Sequence, residues 1–541
     1  MKKSNYKVFA ILLVILILLS ACGNGTTDAG TGAPGTTSPG AASPSTASPG
    51  SSTSGSGAAS DATLRVAFSA PLNTLSMAQA DGAGTSIMMN VSDALVRFAA
   101  DGSMAPGLAL EWKEIDEKTW QFKLREDVTF SNGESFNADA VVYNYEKLAT
   151  KELDYRYASH WGVAWPISVE KVDEYTVNFV CSGYSPLVPG LTARVVMYAP
   201  GQWEAEGDEA YMTHPVGVGP YIVKSWNPGL SVELEAYDGY WGGAPQIKKV
   251  VVESVTSSSA RVSALQAGEF DIVVDIPYDQ IAVLESNASG KYTINMHDGV
   301  GSNWMGFNGL SDRTDRWIYN ETFRKAICHA INQEDISKSL LGGYLEAMPC
   351  FVSNKTNGGN TGTTVHAYDP ELSKQLLKEC GYDGTTQKLA MAGGEFSNDV
   401  EVGELIVAYL QAVGINVEMQ QMENSILETE RNNGNVDITI TNTPGPSYGD
   451  SIYYWSQVVT KRGYSSLCGP EIVAMFEKTG EYGLSSTERT TMLAQANTSA
   501  WNSYVFPMSL SNTAALGVSS KVKGYDYSPT GWLILRDARM D

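Results

Sequence analysis

Residues Val250 to Ile276 read VVVESVTSSSARVSALQAGEFDIVVDI, and the order of their parts decides the fold class. Val250 to Val255 is rich in β-branched residues and predicts a buried strand. Ser258 to Ala267 predicts a helix, which Gly268 stops, because glycine enters the left-handed conformation that ends helices without a Cβ penalty. Phe270 to Ile276 predicts a second strand. Strand, helix and strand in this order make a βαβ unit, so the chain is expected to be α/β with helices packed on a sheet.

The same signals recur outward from this unit. Asn137 predicts an N-cap for a helix through Leu148, with Ala138, Val141, Tyr145 and Leu148 on one face. Asn320 starts a helix bearing Phe323, Ile327 and Ala330, and Asn332 with Asp335 caps another that ends at Gly342-Gly343. Asp369 followed by Pro370 is an N-cap with proline at the first helical position, Leu372, Leu376 and Leu377 inward, and Gly381 after the end. Glu401 to Val413 is helical by period, Gly414 stops it, and Ile415 to Met419 predicts a strand. Trp120, Phe122, Leu124 and Phe130 alternate as one buried strand face.

Composition removes several functions. The chain of 541 residues carries 37 basic and 60 acidic side chains, a formal charge of −23, and is 43% apolar. Such acidity repels nucleic-acid phosphates and anionic lipid headgroups, so no nucleic-acid partner is expected. Six cysteines with no CxxC pair exclude zinc ribbons and thioredoxin-like sites. Cys181, Cys328, Cys350, Cys380 and Cys468 read as small buried thiols, with a Cys328 to Cys350 bridge as the alternative. The five histidines are scattered without an HExxH motif, so no metal and no cofactor are expected, and with no GxSxG elbow or Walker loop the chain is not expected to be an enzyme. Asp271 and Asp275, four residues apart on a strand, lie too far apart for a glycosidase pair and read as lobe-surface or loop residues.

The beginning of the chain carries an address. Lys2, Lys3 and Lys7 precede the apolar run Val8 to Leu19, too short to span a bilayer comfortably. Leu19-Ser20-Ala21-Cys22 resembles the lipobox of bacterial lipoproteins, which implies lipidation of Cys22 after removal of a signal peptide over 1–22. Residues 23–60 are almost all Gly, Ser, Thr, Ala and Pro, a flexible tether spanning roughly 35 Å end to end. The expected location is extracytoplasmic, with a lipid anchor on the outer face of the cell membrane.

Beyond 60, several segments in order resemble the family 5 extracellular solute-binding proteins, the peptide/nickel/opine receptors of ABC importers. They are Asp101 to Ala109 (DGSMAPGLA), Trp120 to Arg125 (WQFKLR), Val128 to Glu134 (VTFSNGE) with Phe136 to Val141, and His214 to Tyr221 (HPVGVGPY), in which Val218 stands where Thr is usual. Tyr240 to Gly243 (YWGG), Ala264 to Asp271 (ALQAGEFD), Phe323 to Ile327 with Ala330 to Asn332, and Cys380-Gly381-Tyr382 follow. Each motif is weak alone; their order across the chain carries the resemblance. Their residues read mostly as structural, with Gly133, Gly219, Gly243 and Gly268 at turns or close backbone approaches.

The resemblance implies a two-lobed periplasmic-binding-protein-like fold of class II, large cluster, with a hinge between lobes and an extra subdomain in the first. It places lobe I at 61–305, lobe II at 306–499 and a return to lobe I at 500–541. It implies a monomer that captures a small, peptide-like solute in the cleft and delivers it to ABC permease subunits. A nickel chelate, opine or glycan fragment is the alternative solute, and a sensor lipoprotein, chaperone or secreted hydrolase the alternative role.

In peptide-binding members a cleft Asp takes the ligand's ammonium. The matching stretch here is Asp437 to Asp450, where that position falls at Gly445; where some dipeptide-binding members place an Arg, this chain has Glu395. The expected ligand-binding residues are therefore Asn442, Thr443, Ser447 and Tyr448, then Tyr453 and Trp455 with Tyr454 between them, Glu395, and Ser302, Asn303 and Trp304 at the crossover between lobes. Trp455 or Trp304 is expected to offer a stacking face. Tyr155, Tyr157, His160 and Trp161 form a second aromatic cluster. Without partners for both termini of a dipeptide zwitterion, the pocket is expected to bind plain dipeptides weakly and to prefer longer or polyhydroxylated, neutral to cationic solutes.

Overall fold

Two strands far apart in sequence organise the molecule, as seen in a computed structural model that describes residues 60–76, 82–149, 168–310, 314–359, 362–443, 449–456, 463 and 465–541. The signal, lipobox and all but the last residue of the tether lie outside the described residues. In chain order the strands are β1 (Ser60–Phe68), the short pair β2 (Val96–Phe98) and β3 (Met104–Pro106), then β4 (Ala109–Asp116), β5 (Thr119–Leu124), β6 (Ser168–Asp173) and β7 (Thr176–Val180). They continue with β8 (Tyr221–Asn227), β9 (Ser231–Ala236), β10 (Ile247–Ser254), β11 (Ile272–Val273), β12 (Tyr292–Phe307), β13 (Gln387–Met391), β14 (Val417–Gln421), β15 (Ile438–Thr443) and β16 (Met508–Ser519).

Ten of them form one sheet in the order β14-β13-β15-β12-β16-β11-β1-β10-β9-β8. The anticipated βαβ unit is there, with β1 seated between its strands and parallel to both. Its helix, Ser258–Ala267, is capped by Ser257 and ends at Gly268 with φ 75°. The second strand is shorter than Phe270 to Ile276. It stops at Val273 because Asp275 takes a left-handed backbone, φ 59°, which no ladder residue adopts.

β12 and β16 form an antiparallel ribbon. They pair from Tyr292 opposite Ser519 to Asp298 opposite Thr513, lose register, and pair again from Ser302 opposite Ser511 to Met305 opposite Met508. Before the irregularity β16 leans on β11; after it β12 leans on β15. Each lobe thus takes one end of the same ribbon, and the break at 299–301 lies between them. The borders anticipated at 305/306 and 499/500 fall inside β12 and inside the helix Ser486–Asn502.

A separate sheet, β4-β5-β7-β6, belongs to the first lobe. Phe122 and Leu124 on β5 are buried and Trp120 is half-buried, its indole donating to the Ser185 carbonyl at 2.9 Å. Phe130 is buried too but sits beyond β5, so the single face of four aromatic and apolar residues shortens to three. The helix Ala138–Leu148 covers this sheet, with Tyr145 edge-on to Phe179 at 4.7 Å. Gly219 admits no side chain, since a Cβ there would lie 2.5 Å from the Val91 carbonyl carbon. A second core, containing Trp304, Phe307, Leu389, Ile406, Trp501 and Phe506, fills the other lobe and continues across the ribbon to Leu265, Val273 and Ile281. Cys181, Cys328, Cys350, Cys380 and Cys468 are free thiols, all but Cys380 buried, so the alternative Cys328 to Cys350 bridge is absent.

Candidate functional site

Parallel strands of an open α/β sheet present their carboxyl ends to ligands. Here β1 ends at Phe68 and β11 at Val273, and the residues just beyond them, Ser69 and Asp275, line a cavity of about 500 Å³. The ribbon contributes His297, Gly299 and Asn512 to Ala515, the chain near the C-terminus contributes Tyr527 to Gly531, and the second lobe closes the space with Gly394 to Ser397 and Asn442.

Asp275 is the most constrained of these residues. Its carboxylate accepts a hydrogen bond from the Ser69 hydroxyl, and its carbonyl accepts one from Arg261 Nη2 at 3.0 Å. Arg261 is 4% exposed and gives Nη1 to the carbonyls of Val255 and Thr256 at 2.8 and 3.0 Å. Burial lowers the Arg261 pKa, an effect the nearby Asp275 charge offsets only in part. Burial first and the Asp275 charge second hold the Tyr278 and Tyr527 phenols well above the ordinary range, so both stay protonated. His297 packs against Tyr527 at 5.3 Å between ring centroids, and burial pushes its pKa below the usual value.

On the opposite wall the Glu395 carboxylate accepts from the Asn442 backbone N–H at 3.1 Å and from the Thr441 hydroxyl at 3.4 Å, and the Asn442 amide donates to the Glu395 carbonyl. Glu395 and Asn442 are thus brought together and line the cavity. Ser302, Asn303 and Trp304 do not line it: they lie on β12 with β15 on one side and β16 on the other, all at most 1% exposed. Their side-chain donors bond within the protein, Ser302 Oγ to the Phe351 carbonyl at 2.5 Å, Asn303 Nδ2 to the Ser511 carbonyl at 2.8 Å, and Trp304 Nε1 to Thr443 Oγ1 at 2.6 Å, while Asn303 Oδ1 is buried without a donor. Thr443 serves that indole and is not among the lining residues.

The expected stacking faces are core contacts. The Trp304 ring meets Phe506 edge-on at 5.6 Å, and Trp455 stacks on Phe476 at 3.8 Å and 9°. Tyr454 is buried, while Tyr453 is half-buried and packs against the first-lobe core. Ser447 and Tyr448, like the cluster Tyr155, Tyr157, His160 and Trp161, lie outside the described residues.

Reasoning from sequence missed Ser69, Arg261, Asp275, His297 and Tyr527. Asp271 does keep out of the cavity, its carboxylate accepting from the Arg65 N–H at 2.9 Å, and Asp275 is in a loop as expected, but that loop lines the cavity. The available signal was its place just past the carboxyl end of a βαβ strand, ahead of Ile276-Pro277. Another cavity, of about 280 Å³, surrounds Asp93 within the first lobe. There Asp93 already holds Arg97 at 2.6 Å, Tyr240 at 3.0 Å and Trp241 at 3.2 Å, while the buried Arg97 Nε–H has no acceptor. Among the described residues no three His, Cys, Asp or Glu side chains gather as metal ligands, and no helix is long and apolar enough to cross a membrane.

The geometry agrees with what comparison with known proteins finds. The chain is 24% identical over 380 residues to the nickel-binding periplasmic protein of Escherichia coli strain K12, covering 66% of this chain and 71% of that one. It is 28% identical over 302 residues to the dipeptide-binding protein of the same strain, covering 51% and 55%. Among solved structures, NikA of Brucella suis in complex with Fe(III)-EDTA superposes with a TM-score of 0.78 at 23% identity, covering 89% of this chain and 100% of that one. The substrate-binding protein CtaP of Listeria monocytogenes gives 0.77 at 19% identity, covering 88% and 99%. These likenesses show the two-lobed binding-protein fold. Residues 103–466 match the family model of the bacterial extracellular solute-binding proteins, family 5 middle region, and the chain belongs to that family.

Proposed function

We propose that this protein is the lipid-anchored receptor of an ABC importer, a monomer that captures an oligopeptide-type solute between its lobes and hands it to the permease. The observation that carries the reading is the cavity walled by both lobes at the carboxyl ends of β1 and β11, whose volume of about 500 Å³ falls in the range of small-ligand sites. The ribbon of β12 and β16 supports closure about residues 299–301, and on this reading the lobes divide near 298–302 and 511–513 rather than at 305/306 and 499/500. Polar walls built from Ser69, Asn442 and Asn512 suit a hydrogen-bonding solute, and relatives named as dipeptide-binding, peptide-transport and glutathione-binding proteins support a peptide-like one.

Native mass spectrometry of the purified protein tests the solute class, because a closed two-lobed receptor retains its ligand. A retained peptide supports the reading; a retained metal chelate, opine or sugar replaces it. Binding also stabilises the fold by RT ln(1 + [L]/Kd), about 2.7 kcal/mol at a hundredfold excess over Kd, which a thermal shift reads. The anchor rests on Leu19-Ser20-Ala21-Cys22, and Cys22→Ser is expected to release the protein from the membrane fraction. Retention as tight as that of the unaltered protein would place the anchor elsewhere.

A further inference from the structure

The two walls of the cleft carry unbalanced charge. Asp275 stands on the first wall and Glu395 on the second. Neither carboxylate has an ion-pair partner among the described residues: Asp275 accepts from the Ser69 hydroxyl, and Glu395 from Asn442 N–H and Thr441 Oγ1. Arg261 is the single Lys or Arg among the cavity-lining residues, and its Nη donors are held by three backbone carbonyls. His297 is kept neutral near pH 7 by burial. The lining therefore sums to one net negative charge, with acceptor lone pairs left over on both sides.

A buried donor without an acceptor belongs to the same lining. Arg261 is only 4% exposed and lines the cavity, yet its Nε–H has no acceptor. A buried N–H without a partner is costly unless something supplied from outside accepts from it.

We infer that the cleft selects solutes in which a cationic nitrogen lies next to an acceptor oxygen, and that Asp275 is the residue that sets this preference. The ammonium meets Asp275 with Glu395 across from it, and the neighbouring oxygen reaches Arg261 Nε. Asp275 rather than Glu395 is the selector, because Glu395 already holds two donors of its own lobe while Asp275 holds one hydroxyl. This inference rests on the solute-receptor reading and names the chemistry which that site takes. An α-amino acyl group has the required pattern, and so does an amino sugar.

Calorimetry on the full chain, stripped of retained solute, distinguishes the possibilities with two matched pairs. Trialanine is compared with its desamino analogue propionyl-Ala-Ala, and glucosamine with glucose. In whichever pair binds, the ammonium-bearing member is expected to bind at least 10-fold more tightly. In Asp275→Asn, which keeps the side-chain size and tolerates a left-handed backbone, that advantage should fall below 3-fold. Asp275→Gly, which accepts φ 59° without strain, serves as the second variant should the first fail to fold. Equal binding of the neutral member to the unaltered protein overturns the inference, as does an unchanged ratio in both variants, or no binding by either ammonium probe. Preference for glucosamine without trialanine binding would sink the oligopeptide reading and leave this inference standing. Trialanine bound as tightly as its desamino analogue would do the reverse.

Discussion

The two walls of the cleft are positioned by different means. The first sits on the sheet: Ser69 and Asp275 extend parallel neighbours β1 and β11, and Arg261 pins the turn by donating to three backbone carbonyls. The second sits on loops. Glu395 follows Gly393 and Gly394, both in the left-handed region, and is tied to Asn442 at the end of β15. Farther along, Asp450 receives Arg489 Nη2 at 2.9 Å and also its Nη1, with both side chains buried. Strand ends and a buried arginine hold the first wall; loop backbone and the Glu395 to Asn442 hydrogen bonds hold the second.

The sharpest way to break this contrast is to remove the second lobe's buried ion pair. Arg489→Met leaves Asp450 uncompensated and is expected to cost about 3–5 kcal/mol, read by denaturant unfolding. The double variant Asp450→Leu/Arg489→Met should recover part of that loss, and no recovery would mean that Arg489 acts through its bond to the Thr479 carbonyl.

Acid is expected to strike the second lobe through His366, which stacks on Trp501 at 4.3 Å and whose pKa is lowered to about 4, chiefly by burial and then by the charge of His329. The folded pKa lies below the unfolded value, so the unfolded chain binds more protons in this window. Stability present above pH 6.5 is therefore lost as pH falls towards 4, by on the order of 3 kcal/mol. Melting temperatures across that range should decline less in His366→Phe; an identical decline would remove His366 from the account.

The smallest effect concerns a contact between the lobes, where Tyr184 of the first meets Tyr482 of the second at 5.5 Å, edge to face. A double-mutant cycle with Ala at both positions should give about 0.5–1.5 kcal/mol of coupling in ligand affinity. Coupling that appears equally in the stability of the unliganded protein would place the contact outside closure.

Much of the fold was legible because its signals are local. Asn137, Asn320, Asn332 and Asp369 accept from the backbone N–H three residues on, at 2.9 to 3.1 Å, and a cap needs nothing beyond its own turn. The cleft was harder to read. Whether Trp304 faces solute or core depends on β15 and β16 closing over it, and Trp455 is claimed by Phe476. Asp275 becomes a site residue only when Ser69, 206 positions earlier, arrives beside it. Residue type announces chemistry, whereas the side it faces is decided by partners that sequence spacing does not reveal. Glu395 and Asn442 were reached because the family resemblance marks their segments as cleft.

The shared ribbon also dictates an order of assembly. The first lobe begins at β1 but completes its sheet with β16, and Asn90 donates to the Leu533 carbonyl and accepts from Leu535 N–H across separations of 443 and 445 residues. Its core cannot close until almost all of the chain is in place, with the loop-closure entropy and slow kinetics that distant contacts bring. The second lobe, largely enclosed between β12 and β16, has no such wait. Pulse-labelled hydrogen exchange should show protection on β15 and the Ser302–Phe307 half of β12 before it appears around Asn90, so that the half of the protein made first is the half finished last.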